Sequence, residues 1–306
     1  MTHPSLDDRR FLFVTGKGGV GKSTVAAALA WAFARRGKRV LLTTCCGTER
    51  LSLHFGVPRL GNEIRQIANG VYGVRLEPER ALSEYGTMML KSRTVFNAVF
   101  NNKLVRSFLA GVPGLYEWAV LGKAWFHSTE ERLDGSPRFD IVVYDAPATG
   151  HGLDMLRVPK VILDVAPPGI LRRDAERAWA MFTDPEYAGV VVVTLPEDLP
   201  TTEALELIET LDRDLKLPVA RLVVNCVMEE LFSASERQAL LEPRDLDRDQ
   251  AGDDAVACAI RRAIRERVQA QNLERFADLK VPQIRLPLLE DAAATPSSTR
   301  QLAELL

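Results

Sequence analysis

The sequence predicts an α/β protein built on a doubly wound, mostly parallel sheet that carries a helical insertion. Two observations predict it. Short β-branched or aliphatic runs recur along the chain, and helical stretches separate them. Continuous apolar runs suit strands buried on both faces of a parallel sheet. Helical stretches between such strands supply the crossovers of a doubly wound fold. Right-handed crossovers align the strands' carboxyl ends along one edge, where ligands bind in these sheets.

Taken in order, the predicted strands are Phe11–Thr15, Arg39–Thr43, Phe139–Tyr144, Val190–Leu195, Ala220–Asn225 and Gln283–Leu286. An Ala-rich helix is expected over 25–36, after a glycine-rich turn. Residues 80–133, between the second and third of these strands, read as a helical insertion. Val95, Phe96, Val99 and Phe100 form an apolar stripe at i, i+3, i+4 spacing. Each residue of the stripe suits packing on the sheet or on neighbouring helices. The segment as a whole suits an interaction, because compact folds seldom carry so long an insertion without a role. Residues 228–278 read as a peripheral helical segment. There an acidic loop, 242–254, precedes a helix with Val256, Ile260, Ile264 and Val268 on one stripe and Arg261, Arg262, Arg265 and Arg267 on a solvated face. The whole of 1–306 is expected to be one domain.

Net charge is −2, from 39 basic and 41 acidic residues among 306. That balance demands neither nucleic acid nor an anionic membrane as partner. The four cysteines, Cys45, Cys46, Cys226 and Cys258, form no CxxC pair and no disulfide framework. The first residues lack an apolar core of signal-peptide type, and apolar runs fall far short of the roughly 20 residues of a membrane span. A cytoplasmic protein is expected.

FLFVTGKGGVGKST, residues 11–24, carries the strongest chemical signal. Gly16, four residues, then Gly21-Lys22-Ser23 satisfies the phosphate-loop pattern between a strand and a helix. Backbone N–H groups of Gly16, Gly18, Gly19, Val20 and Gly21 would wrap phosphate oxygens, helped by the helix N-terminus. Lys22 would reach the β- and γ-phosphates of ATP, the Ser23 hydroxyl would ligate Mg²⁺, and Thr24 would contact the α-phosphate. Asp145 ends a strand where an acidic group can hold Mg²⁺ through its coordinated water.

The second lysine of GKGGVGK, Lys17, makes this a deviant Walker A signature. The loop resembles that of the MinD, ParA, nitrogenase-iron-protein and ArsA group of P-loop NTPases, the SIMIBI type. The resemblance implies an ATP-sandwich dimer in which Lys17 reaches the partner's phosphates as a catalytic group alongside Lys22 and Asp145. DAPATGHGLDMLRVP, 145–159, narrows the family. It closely resembles the switch II segment of the ArsA family, which includes arsenite-pump ATPases and ATPases that target tail-anchored membrane proteins. The resemblance gives Thr149, Gly150 and His151 a γ-phosphate-sensing role. GVYGVRLEPERALSEY, 70–85, is similar to the family's strand-and-helix segment, and GVPGLYEW, 111–118, to its PG-x-DE element. In LVVNCV, 222–227, Asn225 inherits adenine recognition, and in RLPLLEDAAATP, 285–296, Pro287 and Leu288 inherit the loop over the adenine. The family's zinc-binding CxxC and the pump enzymes' cysteine pattern are not reproduced. Residues 160–189 also look short for the lobe that holds tail-anchor helices.

TTCCGTERLSLHFG, 43–56, is similar to the family's switch I segment, and it places Cys46 where an aspartate handles the attacking water. A neutral thiol cannot accept as a carboxylate does, and losing such a group costs on the order of 10²–10⁴ in rate. Three readings are open, in this order: a heterodimer whose paralogous partner keeps the aspartate; a slow homodimer, with Glu49 as substitute carboxylate; and a thiol sensor or soft-metal site at Cys45–Cys46. The function expected is a Mg²⁺-ATP-dependent dimeric ATPase coupling nucleotide state to a hydrophobic or membrane-protein client. The alternative is a nucleotide-binding regulatory subunit of a heterodimer.

Overall fold

A computed structural model describes residues 4–45, 49–90, 114–147, 149–242, 251–289 and 294–306. Cys46 and the stripe at 95–100 therefore lie outside the described residues, as do the side chains of Thr149 and His151.

Eight strands form one sheet in the order β3-β4-β2-β5-β1-β6-β7-β8. They are β1 (Phe11–Thr15), β2 (Val40–Cys45), β3 (Arg65–Ala68), β4 (Val71–Leu76), β5 (Ile141–Asp145), β6 (Ala188–Thr194), β7 (Val219–Val227) and β8 (Gln283–Pro287). Every pairing is parallel except β3 with β4. The predicted fold class is the observed one. β1 lies between β5 and β6, so its five residues are all buried. Alternate residues feed different cores, since side chains on a strand alternate between faces. Phe11 and Phe13 join one cluster, and Leu12 and Val14 the other.

The described α-helices cover the two faces. Helix α1 (Lys22–Arg35) packs on one face through Val25, Ala26, Leu29 and Phe33, together with the C-terminal helix α9 (Pro296–Ala303). Its small residues let the helix approach the strands closely. On the other face lie α3 (Leu115–Thr129), α4 (Thr149–Val165), α5 (Ile170–Thr183) and α6 (Asp198–Arg213). Trp118, Leu121 and Ala124 of α3 belong to that core, as do Met155 of α4 and Leu211 of α6. Each large apolar side chain buried there contributes about 1.5–3 kcal/mol. Helix α2 (Pro78–Leu90) packs against α3. Tyr85 meets Trp118 edge-on at 6.3 Å.

Two features depart from the sequence expectations. Strand β3 has no counterpart among the expected strands, whereas β4 and α2 fall where the strand-and-helix segment 70–85 is expected. Strand β3 is four residues long and largely half-exposed, so it lacks the continuous apolar signal of the central strands. The second departure is on α8 (Ala251–Glu274), beyond the short α7 (Ala234–Leu241). The fully buried ridge of α8 is Ala263, Glu266, Gln269 and Asn272, whereas Ile264 is 40% exposed. Polar groups face inward because they serve backbone donors and acceptors. Glu266 accepts from the N–H of Leu231 at 3.0 Å, and Gln269 both accepts from Met228 N–H and donates to Met228 C=O at 2.8 Å. Arg262 and Arg237 complete the charge pairing of Glu266.

Candidate nucleotide site at the carboxyl edge

The parallel register brings the ends of β1, β5, β6 and β7 to one edge, and the glycine-rich turn fills the space above β1. Gly16 has φ 147°, and a Cβ there would lie 2.1 Å from the Val193 carbonyl oxygen. Gly21, the N-cap of α1, has φ 91°, and a Cβ would lie 2.2 Å from Asn225 Nδ2. Only glycine fits both positions, because each needs left-handed backbone against a close neighbour. The first turn of α1 carries no acidic residue. Its N–H groups and dipole therefore face the loop uncompensated, an arrangement suited to anions. Gly18 and Gly19 are exposed, Gly16 and Val20 are buried, and Thr24 is half-buried in the first turn of α1.

The charged and polar groups of the loop converge. Lys22 Nζ donates to the Lys17 carbonyl at 2.8 Å. Burial lowers its pKa, and nearby Asp145 pulls the other way. Ser23 Oγ donates to Asp145 Oδ2 at 2.7 Å. Asp145 is 5% exposed at the end of β5, and burial pushes its pKa up to about 6 against the pull of Ser23 and Lys22. Its other oxygen, Oδ1, is buried with no hydrogen-bond partner among the described residues. A serine hydroxyl beside a buried carboxylate with a free acceptor fits hydrated Mg²⁺, which takes few protein oxygens and keeps several waters. The amine of Lys17 is paired with Glu203 of α6 in the same chain.

Asn225 stands near the end of β7, 5% exposed, and its Nδ2 donates to the Val20 carbonyl at 3.0 Å. The amide thus touches the phosphate loop itself. Beside it opens a cavity of about 370 Å³ lined by Gly19, Leu195, Pro196, Cys226, Leu288 and residues of α8, including Arg265 and Gln269. Leu288 N–H bonds to the Val227 carbonyl at 2.9 Å, which fixes the loop after β8 over the end of β7. Pro287 is the exposed last residue of β8, opposite Val227. Cys226 adopts φ 57°, uncommon for a residue with a side chain. Phosphate loop, cavity, Asn225 and Leu288 are therefore contiguous. The wall that α8 contributes went unread in the sequence, because its arginines gave only the signal of a solvated face.

Next to this site stands a second buried polar group, centred on Glu49. Glu49 is 7% exposed, and its two oxygens accept from Ser52 N–H at 2.8 Å and Leu60 N–H at 3.1 Å. It thereby holds the 3₁₀ turn Leu51–Phe55. His54 of that turn is buried, with Nδ1 2.8 Å from Thr299 Oγ1 of α9, and burial lowers its pKa to about 4. Cys45 ends β2 fully buried, and the Tyr144 hydroxyl donates to its sulfur at 3.0 Å. No helix among the described residues is long and apolar enough to cross a membrane.

Comparison with known proteins agrees with this geometry. The family model of the ArsA-type anion-transporting ATPases matches residues 9–166, which run from the start of β1 to the end of α4. The ATPase BagA of Mycobacterium tuberculosis is 31% identical over 94% of this chain and 89% of its own length. The ATPase GET3 of Kluyveromyces lactis is 24% identical over 66% of this chain and 68% of its own length. The arsenical pump-driving ATPase of Acidiphilium multivorum is 26% identical over 75% of this chain, which spans 41% of that protein. With a phosphate loop on β1, a carboxylate ending β5 and relatives along nearly its whole length, the chain belongs to the ArsA family of ATPases.

Proposed function

We propose that this ATPase binds Mg²⁺-ATP at the carboxyl edge of the sheet and works as a dimer that couples nucleotide state to a hydrophobic or membrane-protein client. The observation that carries the nucleotide reading is the Ser23–Asp145 contact at 2.7 Å, with Asp145 Oδ1 buried beside Lys22 and without a hydrogen-bond partner among the described residues. Glycine-bounded N–H groups of residues 16–21 cradle the phosphates, Lys22 neutralises the β- and γ-oxygens, and Thr24 meets the α-phosphate. The adenine enters the cavity beside Asn225, between Leu288 and α8, with Pro287 the chain neighbour of Leu288. Ser23 and Asp145 would hold the metal between them. Bound Mg²⁺ supplies charge neutralisation at the transferring phosphoryl group. Lys17 serves the nucleotide of a second subunit.

Client coupling draws its support from the helical region 80–133, read as an insertion within a single domain, and from membership of a family that includes protein-handling relatives. Nucleotide-driven closure of two subunits would move such a region, as switch segments do in other NTPases. Within this reading Cys46 replaces the water-handling carboxylate, so turnover is slow. Glu49 is disfavoured as its substitute, because both of its oxygens already hold backbone donors. The second reading, a regulatory subunit beside a paralogous ATPase that keeps the aspartate, rests on that same substitution. Turnover of the purified chain, alone and mixed with a paralogous partner, separates the two. Strong hydrolysis by the chain alone, abolished by Lys22→Ala but untouched by Cys46→Ala, would overturn the role given to Cys46.

A further inference from the structure

Glu203 does not line the nucleotide cavity, yet its carboxylate holds the signature lysine. We infer that Glu203 is a positioning residue that latches Lys17 in its own subunit, so that Lys17 reaches a second copy of this chain only when the ion pair opens. The inference rests on the dimer reading, in which Lys17 serves the nucleotide of the other subunit.

Residue 17 is gripped at two points. Its carbonyl accepts from Lys22 Nζ at 2.8 Å, and its amine is paired with Glu203 Oε1. The two side chains are 42% and 24% exposed, so neither is freely solvated. Glu203 Oε2 is buried with no hydrogen-bond partner among the described residues, which leaves Lys17 as the cation for this carboxylate. Losing that cation would leave a partly buried carboxylate without its counter-ion, so the contact holds the lysine modestly, as a half-exposed ion pair does.

The acceptor is also held rigidly. Helix α6 is fastened near its start to the end of α8 and the residue after it: Asn272 Nδ2 donates to Asp198 Oδ1 at 2.8 Å, and Arg275 donates to Thr202 Oγ1 at 2.8 Å. Helix α8 in turn forms a wall of the cavity beside Gly19, through Val268 and Gln269 among others. Glu203 thus faces the phosphate loop from a frame that includes the nucleoside cavity. A triphosphate presents more negative charge to the lysine than one carboxylate, so bound nucleotide on an opposing subunit can draw Lys17 away. The latch sets how much nucleotide-bound partner is needed before that exchange is favourable.

The test uses the full chain with Mg²⁺ and a non-hydrolysable ATP analogue, read by sedimentation. Glu203→Gln should lower the protein concentration of half-maximal self-association by about 3- to 10-fold, the range of a partly screened ion pair. Glu203→Asp should return it toward the parent value. In a Lys17→Ala background Glu203→Gln should change nothing. Acylation of Lys17 by an amine-directed reagent without nucleotide, read by peptide mass spectrometry, should rise in Glu203→Gln, with the thermal midpoint as a check on folding. Unchanged self-association in Glu203→Gln, while Lys17→Ala still abolishes it, overturns the latch and leaves the dimer reading standing. Tighter analogue binding with unchanged self-association also overturns the latch. Self-association indifferent to Lys17→Ala, or absent altogether, overturns the dimer reading and the latch with it.

Discussion

Two buried polar groups sit side by side at the carboxyl edge of the sheet, and they are finished to different degrees. In the Lys22–Ser23–Asp145 group one carboxylate oxygen has no partner among the described residues. In the Glu49–His54–Thr299 group both Glu49 oxygens accept backbone N–H groups and the His54 ring meets a hydroxyl. Buried polar atoms are nearly always satisfied in folded proteins. An orphan acceptor among glycines that only a close-packed loop requires marks a place built for a ligand. A fully satisfied pair bridging a 3₁₀ turn to the C-terminal helix marks a brace. Residue type alone does not separate them, since both centre on a buried acid.

The contrast predicts that substitutions in the first group affect turnover, and substitutions in the second affect stability. The largest effect is expected from Lys22→Ala, which should reduce ATP turnover on the order of 10³-fold with the thermal midpoint nearly unchanged. A phosphate-release assay beside calorimetry checks both halves. Cys46→Asp should sharpen the same side by raising turnover on the order of 10²-fold, if a carboxylate is what the switch lacks. No gain would overturn the role given to Cys46.

On the brace side, acid should act through His54. Its folded pKa of about 4 lies below the ordinary value of 6.5, so the unfolded chain takes up the proton first. The stabilising contribution is full above about pH 6.5, declines as pH falls, and is lost below about pH 4. Between pH 8 and pH 5 the loss is about 2 kcal/mol. Asp145 moves oppositely, because its raised pKa favours the folded state as it protonates. The difference between the parent chain and His54→Gln in denaturant melts across this range isolates the histidine. An identical pH dependence in both would remove His54 from the account. The smallest effect is expected from Glu49→Gln, about 1–2 kcal/mol of stability from turning one acceptor into a donor against a backbone N–H, with turnover per folded molecule unchanged. A turnover loss exceeding tenfold would move Glu49 from the brace to the catalytic side.

The central strands and the phosphate loop were legible because their signals are local. Runs such as Phe11–Thr15 are apolar throughout, as strands buried on both faces must be. Gly16, Gly21, Lys22 and Ser23 lie in one stretch whose spacing is itself the chemistry. The edge strand β3 was not legible by the same rule, because a short, half-exposed edge strand lacks that pattern. Helix α8 faces inward against expectation, because Glu266, Gln269 and Asn272 look like surface residues until their partners are known: backbone N–H groups for the first two and the Asp198 carboxylate for the third.

The sequence by itself determined the α/β class, the place of the phosphate loop and the identity of its lysines, serine and strand-end aspartate. Local spacing and glycine sterics suffice for these. Only the tertiary structure decided that Asp145 meets Ser23 across 122 residues, that Lys17 meets Glu203 across 186, and that Glu49 is a brace. Each of those outcomes depends on which strand ends and helices become neighbours, and on whether a buried carboxylate finds its donors there. Pairing between residues so far apart leaves no periodic trace in the chain.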